Sequence, residues 1–231
     1  MFYYDYYYIV LIIPAMLLGA FAQWKVSSTF NRYKTVNSYR RITAAEVARR
    51  ILDANGLQHI RIEHVRGNLT DHYDPGNNVI RLSDSVYNST SIASIGVAAH
   101  ETGHAIQYAQ NYMPIKLRNA IVPIANLGST LSLPLILFGI LIDMSGLVTF
   151  GIVAFSMVAL FQLITLPVEI NASNRALAIL EERRFLEGDE LKGAQKVLTA
   201  AALTYVAALV TSLAQLLRLI LLYGKRNNDD R

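Results

Sequence analysis

The sequence predicts a mainly α, polytopic membrane protein with four transmembrane helices and a small α+β cytoplasmic insertion. Of its 231 residues, 53% are hydrophobic and only 16% are charged, which is unusual for a soluble protein. The charges leave uninterrupted uncharged stretches of 19, 24, 25 and 21 residues, and a transmembrane helix needs about 20 apolar residues. Buried helices of a soluble core are the alternative, but four stretches of this length argue against it. The predicted transmembrane helices cover about residues 6–22, 120–142, 147–167 and 198–222.

The basic residues predict how the chain is oriented. Five of them follow the first transmembrane helix closely, so the positive-inside rule makes the insertion, residues 25–118, cytoplasmic and the amino terminus external. They are Lys25, Arg32, Lys34, Arg40 and Arg41. Four crossings then place the tail from Gly224 outside as well, although Arg218 at that end opposes this orientation. The net charge of +4 lies beside membrane segments without an aromatic stacking surface, so the lipid bilayer is an expected partner and nucleic acid is not.

The insertion combines helical and strand-like patterns. Thr43–Glu46 has the form of a capping box that opens a helix, and Gly56 ends that helix. Two strand-like runs follow, at residues 57–65 and 79–82, separated by a turn-rich segment. A long helix is expected from about Ser91 to Tyr112, capped by Ser89 or Thr90, with Pro114 ending it.

This long helix carries the pattern His100-Glu101-Thr102-Gly103-His104, an HExxH motif typical of zincin-type metallopeptidases. Residues four apart share one face of a helix, so both imidazoles can bind the same metal ion. Because the sequence has no cysteine, the remaining ligand must be another histidine or a carboxylate. Glu101 is the candidate general base that takes a proton from a metal-activated water. A metal site without catalysis is the alternative, but it has no use for Glu101.

Glu169 is the candidate third metal ligand. It follows 25 uncharged residues and opens a second helical stretch, and 64 residues separate it from His104. These contain two predicted crossings, which return the chain to the side it left. A carboxylate at the membrane end of a helix needs a partner, and a zinc ion is a strong one. The alternative is that Glu169 only marks the water interface.

Four segments together resemble the neutral zinc metallopeptidases of the YugP type, found in prokaryotic membranes. The segments are Tyr73–Ser83, Ala98–Gln107, Leu166–Arg175 and Val197–Ala207. The resemblance implies a membrane-bound zinc peptidase that is distantly similar to the HtpX-type and CAAX prenyl proteases. In those proteases the third ligand is a glutamate that opens a Glu-x-x-Ala-Asp pattern, which carries over to Glu169 and Ala172. Ser173 replaces the aspartate, at a position where it can orient a ligand imidazole.

We therefore expect residues 1–231 to form a single membrane metallopeptidase domain, with one Zn²⁺ per chain and its active site at the cytoplasmic face of a prokaryotic cell membrane. The expected activity is that of a metalloendopeptidase on peptide or membrane-protein substrates. An oligomer or accessory membrane partners are left open. The rival hypothesis is a non-hydrolytic membrane metal-binding or scaffold protein.

Three further features are candidates for a role in catalysis or substrate binding. Arg175 can stabilise an oxyanion, but a headgroup or salt-bridge partner is the commoner role. His72 can assist the transition state, but a surface loop histidine is the simpler interpretation. An edge strand in residues 57–65 or 79–82 can bind substrate in extended form.

Overall fold

Helices make up most of the protein, as a computed structural model of residues 5–224 shows. Within these residues, four helices are long and apolar enough to cross a membrane: Tyr8–Tyr33, Met113–Leu141, Ser145–Glu182 and Gly188–Tyr223. A three-stranded sheet and two further helices lie between the first and second of them. This architecture agrees with the predicted fold class. The predicted external tail beyond Gly224 lies outside the described residues.

The elements follow one another along the chain with these bounds. A π-helical turn, Tyr8–Ile12, leads into α1 (Ile13–Tyr33), and the strands are β1 (Arg61–Val65), β2 (His72–Asp74) and β3 (Val79–Ser83). The other helices are α2 (Ala44–Ala54), α3 (Ile92–Ala109), α4 (Met113–Leu141), α5 (Ser145–Glu182) and α6 (Gly188–Gly224).

Several helix ends differ from the prediction. Helix α1 continues to Tyr33, 11 residues past the predicted end of the first crossing, and α4 begins at Met113, seven residues before the second. Helix α5 continues through Pro167 to Glu182, and at 38 residues it is about 57 Å long, well beyond the ~30 Å of a bilayer core. Helix α6 begins at Gly188, ten residues before the predicted crossing. Pro114 does not end α3, which stops at Ala109; it is the second residue of α4. Proline suits the first turn of a helix because the amide hydrogen that it lacks has no partner there.

The described residues fall into two compact units. The first comprises Met1–Gln23, Lys116–Pro167 and Thr204–Arg231, as far as these are described, and the second comprises Trp24–Ile115 and Val168–Leu203. In the first unit α4 and α5 pack at backbone contact. A Cβ atom at Gly128 would collide with the carbonyl oxygen of Ala154, so glycine is what allows this close approach.

An ion pair links the two ends of the first unit. Arg218, near the end of α6, donates from Nε to Oδ2 of Asp5 at 2.8 Å, and its guanidinium carbon lies 5.3 Å from the ring centroid of Tyr8. Both charged side chains are 21% exposed. Arg218 is therefore ion-paired within the first unit.

The sheet in the second unit has the order β1-β3-β2, with β3 parallel to β1 and antiparallel to β2. The central strand β3 pairs on both sides, so the expectation that residues 79–82 offer an edge to substrate is wrong. Strand β1 remains an edge strand, but it begins at Arg61 rather than at Leu57. The turn-rich segment after Asp74 connects β2 to β3, a hairpin that the sequence pattern does not reveal.

Helix α3 lies in the main core of the second unit. Ser91 caps it by accepting a hydrogen bond from the Ser94 amide at 3.2 Å, so the prediction of Ser89 or Thr90 as the cap is wrong by one or two residues. Thr43 caps α2 in the same way, as the sequence predicts. Fully buried apolar side chains from α2, β3 and α3 form this core, among them Ile51, Leu52, Ile80, Leu82 and Ile95. The core holds α3 in place over its whole length, which positions the HExxH residues.

Candidate metal centre

His100 and His104 lie one turn apart on the same face of α3. Their ring centroids are 4.7 Å apart, with the rings nearly perpendicular. His104 is buried, and His100 is partly exposed. The helical spacing thus brings the two imidazoles together, as the sequence predicts.

Glu169, on α5, reaches both imidazoles. Its Oε2 atom lies 3.3 Å from Nε2 of His100 and 3.4 Å from Nε2 of His104. The carboxylate is 3% exposed. The three residues form a cluster whose ligand atoms all lie within 4.8 Å of one another.

The spacing of these atoms fits a zinc ion. Bonds of about 2.0–2.2 Å in a tetrahedral site place neighbouring ligand atoms about 3.3–3.6 Å apart. The two nitrogen-to-oxygen distances of 3.3 and 3.4 Å fall in this range. Two histidines and one glutamate are also a donor set of catalytic zinc sites, which leave a fourth position for water or substrate. The residues present therefore fit the metal.

Gly103, inside the motif, explains how α3 and α5 come close enough. A Cβ atom at this position would lie 2.6 Å from the carbonyl oxygen of Ala172, a backbone atom that cannot move without its helix. Ala172 is itself fully buried three residues after Glu169. The absence of a side chain at Gly103 thus sets the distance between the helix of the histidines and the helix of the glutamate.

We expect Gly103→Ala to weaken zinc binding and lower the thermal unfolding temperature. Alanine favours helix by about 1 kcal/mol over glycine, but overpacking of this kind costs about 1–3 kcal/mol and displaces α5 with Glu169. Zinc affinity by chelator competition and thermal unfolding in detergent measure both effects. Gly96→Ala, on the same helix, is the matched control, because its Cβ atom would meet Ala194 at an ordinary 3.4 Å. Equal behaviour of the two variants would contradict the close-contact argument.

Each imidazole has a polar neighbour at Nδ1, the ring nitrogen that does not face Glu169. Nδ1 of His100 lies 3.1 Å from Oγ of Ser173, and Nδ1 of His104 lies 3.0 Å from Oε1 of Gln107. Ser173 thus lies beside the imidazole of His100, a candidate ligand, as expected from the sequence. Sequence reasoning missed Gln107. The available signal was a glutamine three residues beyond His104, on a helix whose neighbouring residues are apolar.

Glu101 is buried, with 8% of its surface exposed, in the same turn of α3 as His100. Its charge acts on His104. Burial lowers the pKa of His104, but the hydrogen bond with Glu169 and the charges of Glu101 and Glu169 outweigh burial and raise that pKa above its ordinary value. The two carboxylates therefore favour a cation at the histidine cluster.

Two further candidates from the sequence, Arg175 and His72, contact residues outside the cluster of His100, His104 and Glu169. Arg175 donates from Nε to Oδ1 of Asn171 at 2.7 Å and from Nη1 to Oε1 of Gln110 at 2.5 Å. His72 is exposed and belongs to β2 rather than to a loop, and its Nδ1 lies 2.8 Å from the carbonyl oxygen of Thr70.

The fold and this cluster define a class: a membrane protein with apolar helices and a cluster of two histidines and a buried glutamate suited to one metal ion. Residues 8–224 match the family described as "Putative neutral zinc metallopeptidase", and the chain belongs to that family. It is similar to a protein of Bacillus subtilis (strain 168) named "Putative membrane protease YugP", with 48% identity over 216 residues. The match covers 94% of this chain and 96% of that protein. No solved structure matches the chain.

Proposed function

We propose that this protein is a zinc-dependent membrane metalloendopeptidase that holds one Zn²⁺ per chain with His100, His104 and Glu169. The observation that carries the proposal is the convergence of three ligand atoms at separations of 3.3 and 3.4 Å, with the glutamate of the HExxH motif buried beside them. A metal site that only stabilises a fold needs a closed set of four ligands. Three protein ligands leave a position for chemistry.

Glu101 and the three clustered residues have separate roles in the proposed hydrolysis. Zinc bound at such a site supplies Lewis acidity, which lowers the pKa of a water molecule to about 7 and polarises a peptide carbonyl. Glu101 accepts the proton that this water loses as it attacks the carbonyl carbon. The protonated Glu101 then donates that proton to the nitrogen of the leaving amine as the peptide bond breaks. Ser173 and Gln107, which lie beside Nδ1 of His100 and of His104, hold the two imidazoles in place throughout.

We also propose peptides or membrane proteins as substrates, cleaved at the cytoplasmic face of a prokaryotic cell membrane. The basic residues that follow the first transmembrane helix support this orientation. The free edge of β1 supports an extended substrate, because an edge strand presents unpaired backbone groups to which a peptide can add as a further strand. On this proposal the whole chain acts as one membrane metallopeptidase domain.

Removal and return of zinc tests the proposal. We expect the purified protein in detergent to contain one zinc per chain and to cleave an unstructured protein such as casein. A chelator should abolish cleavage, and added zinc should restore it, because the attacking water depends on the metal. The control is the same protein treated with chelator already saturated with zinc. Zinc binding without any cleavage would support the scaffold hypothesis instead, and a protein that binds no zinc would contradict both.

A further inference from the structure

The Nδ1 atom of His104, which does not face Glu169, lies beside a fully buried side chain. Nδ1 lies 3.0 Å from Oε1 of Gln107, which is 0% exposed and one turn further along α3. A buried amide without hydrogen bonds is costly, so its oxygen and its nitrogen both need partners. Which atom of the amide faces the imidazole decides which ring nitrogen carries a proton.

The other contacts of Gln107 determine the orientation of its amide. Its Nε2 atom lies 2.9 Å from the backbone carbonyl oxygen of Val168 and 2.9 Å from Oδ1 of Asn171. A carbonyl oxygen only accepts hydrogen bonds, so the group facing Val168 must be the NH₂ group. The amide oxygen therefore faces His104, and Nδ1 of His104 must donate to it.

The orientation of Asn171 is determined in the same way. Arg175 donates from Nε to Oδ1 of Asn171 at 2.7 Å, and a guanidinium only donates. Asn171 thus presents its oxygen to both Arg175 and Gln107. The two residues that hold the Gln107 amide, Val168 and Asn171, flank Glu169 on α5.

We infer that Gln107 is a positioning residue of the metal site. It keeps the proton on Nδ1 of His104, which leaves Nε2 as the metal-binding atom, and it ties this imidazole to the turn of α5 that carries Glu169. Ser173 has no such effect on His100, because a hydroxyl group can donate or accept. The inference rests on the proposed function, in that the cluster binds zinc.

Two substitutions at Gln107 distinguish a role in positioning the His104 imidazole from a role in packing α3 against α5. Gln107→Leu removes the acceptor for Nδ1 and both donors to α5, whereas Gln107→Glu removes the donors but keeps an acceptor. Carboxylates commonly accept this hydrogen bond from a metal-binding histidine. We expect zinc affinity, measured by chelator competition on the full chain in detergent, to fall about 10–100-fold for Gln107→Leu. Gln107→Glu should stay closer to wild type. Gln195→Leu, an exposed glutamine on α6, is the control for the loss of an amide.

The possible outcomes are distinct. If both variants lose affinity equally, Gln107 only packs α3 against α5 and the inference is wrong; it is equally wrong if Gln107→Leu binds zinc as the wild type does. A wild type that binds no zinc defeats the proposed function itself. Should Gln107→Leu not fold, ¹⁵N NMR of the histidine rings in the zinc-loaded wild type decides. A proton on Nδ1 of His104 supports the inference, and its absence overturns it.

Discussion

Glu101→Gln is expected to lower the rate of peptide hydrolysis by about 10²–10⁴-fold, the usual contribution of a general acid–base group. Glutamine has nearly the same shape as glutamate but cannot take up the proton of the attacking water. Glu101 is not one of the three clustered ligands, so the variant should still bind one zinc per chain. Turnover of a peptide substrate and zinc content, measured on the same preparation, test both statements.

Glu182→Gln is the matched control for this change, since Glu182 is an exposed glutamate at the end of α5. It should cleave as the wild type does. Full activity in Glu101→Gln would contradict the role of general base. Loss of zinc together with activity would instead mean that Glu101 supports the metal, and the mechanism would need another base.

Glu169→Ala is expected to weaken zinc binding by at least about 100-fold. Loss of a residue that only hydrogen-bonds to a metal ligand already weakens binding by up to about 100-fold, and loss of a ligand itself should cost at least as much. Two imidazoles alone leave half of a tetrahedral site to water. Zinc should therefore no longer raise the unfolding temperature, whereas a ligand at 100 times its Kd stabilises a protein by about 2.7 kcal/mol. Chelator competition and thermal unfolding with and without zinc measure this difference.

Two further variants make this result specific. Glu169→Gln keeps the shape of the buried side chain. It should lose zinc as well, because an amide oxygen carries no negative charge and binds zinc more weakly than a carboxylate does. Glu181→Ala, on the exposed surface of the same helix, should bind zinc normally. Wild-type affinity in both Glu169 variants would remove this residue from the ligand set and leave the third ligand to be found elsewhere.

The convergence of the three candidate ligands could be predicted because the position of each depends on a simple constraint. Helical geometry alone brings His100 and His104 to one face. For Glu169 the constraint is the rarity of a carboxylate beside a long apolar stretch, which demands a strong partner. The structure places all three together.

The spacing of Gln107 from His104 is a sequence signal, but its burial and its contacts could not be predicted, because they depend on α5, which lies 61 residues further along the chain at Val168. The same limit applies to β2, whose three residues pair with β3 without an alternating apolar pattern of their own. Helix ends were missed for a different reason. Charged residues end a membrane-spanning stretch but not a helix, so α5 and α6 extend past the boundaries that charge alone indicates.

The pair formed by Asp5 and Arg218 bears on how the chain is made. The two residues lie 213 positions apart, and ribosomes add about 5–20 residues per second. Asp5 is therefore synthesised about 10–40 s before the arginine that neutralises it exists. Until then the first helix carries at one end a carboxylate without the partner that it has in the folded protein.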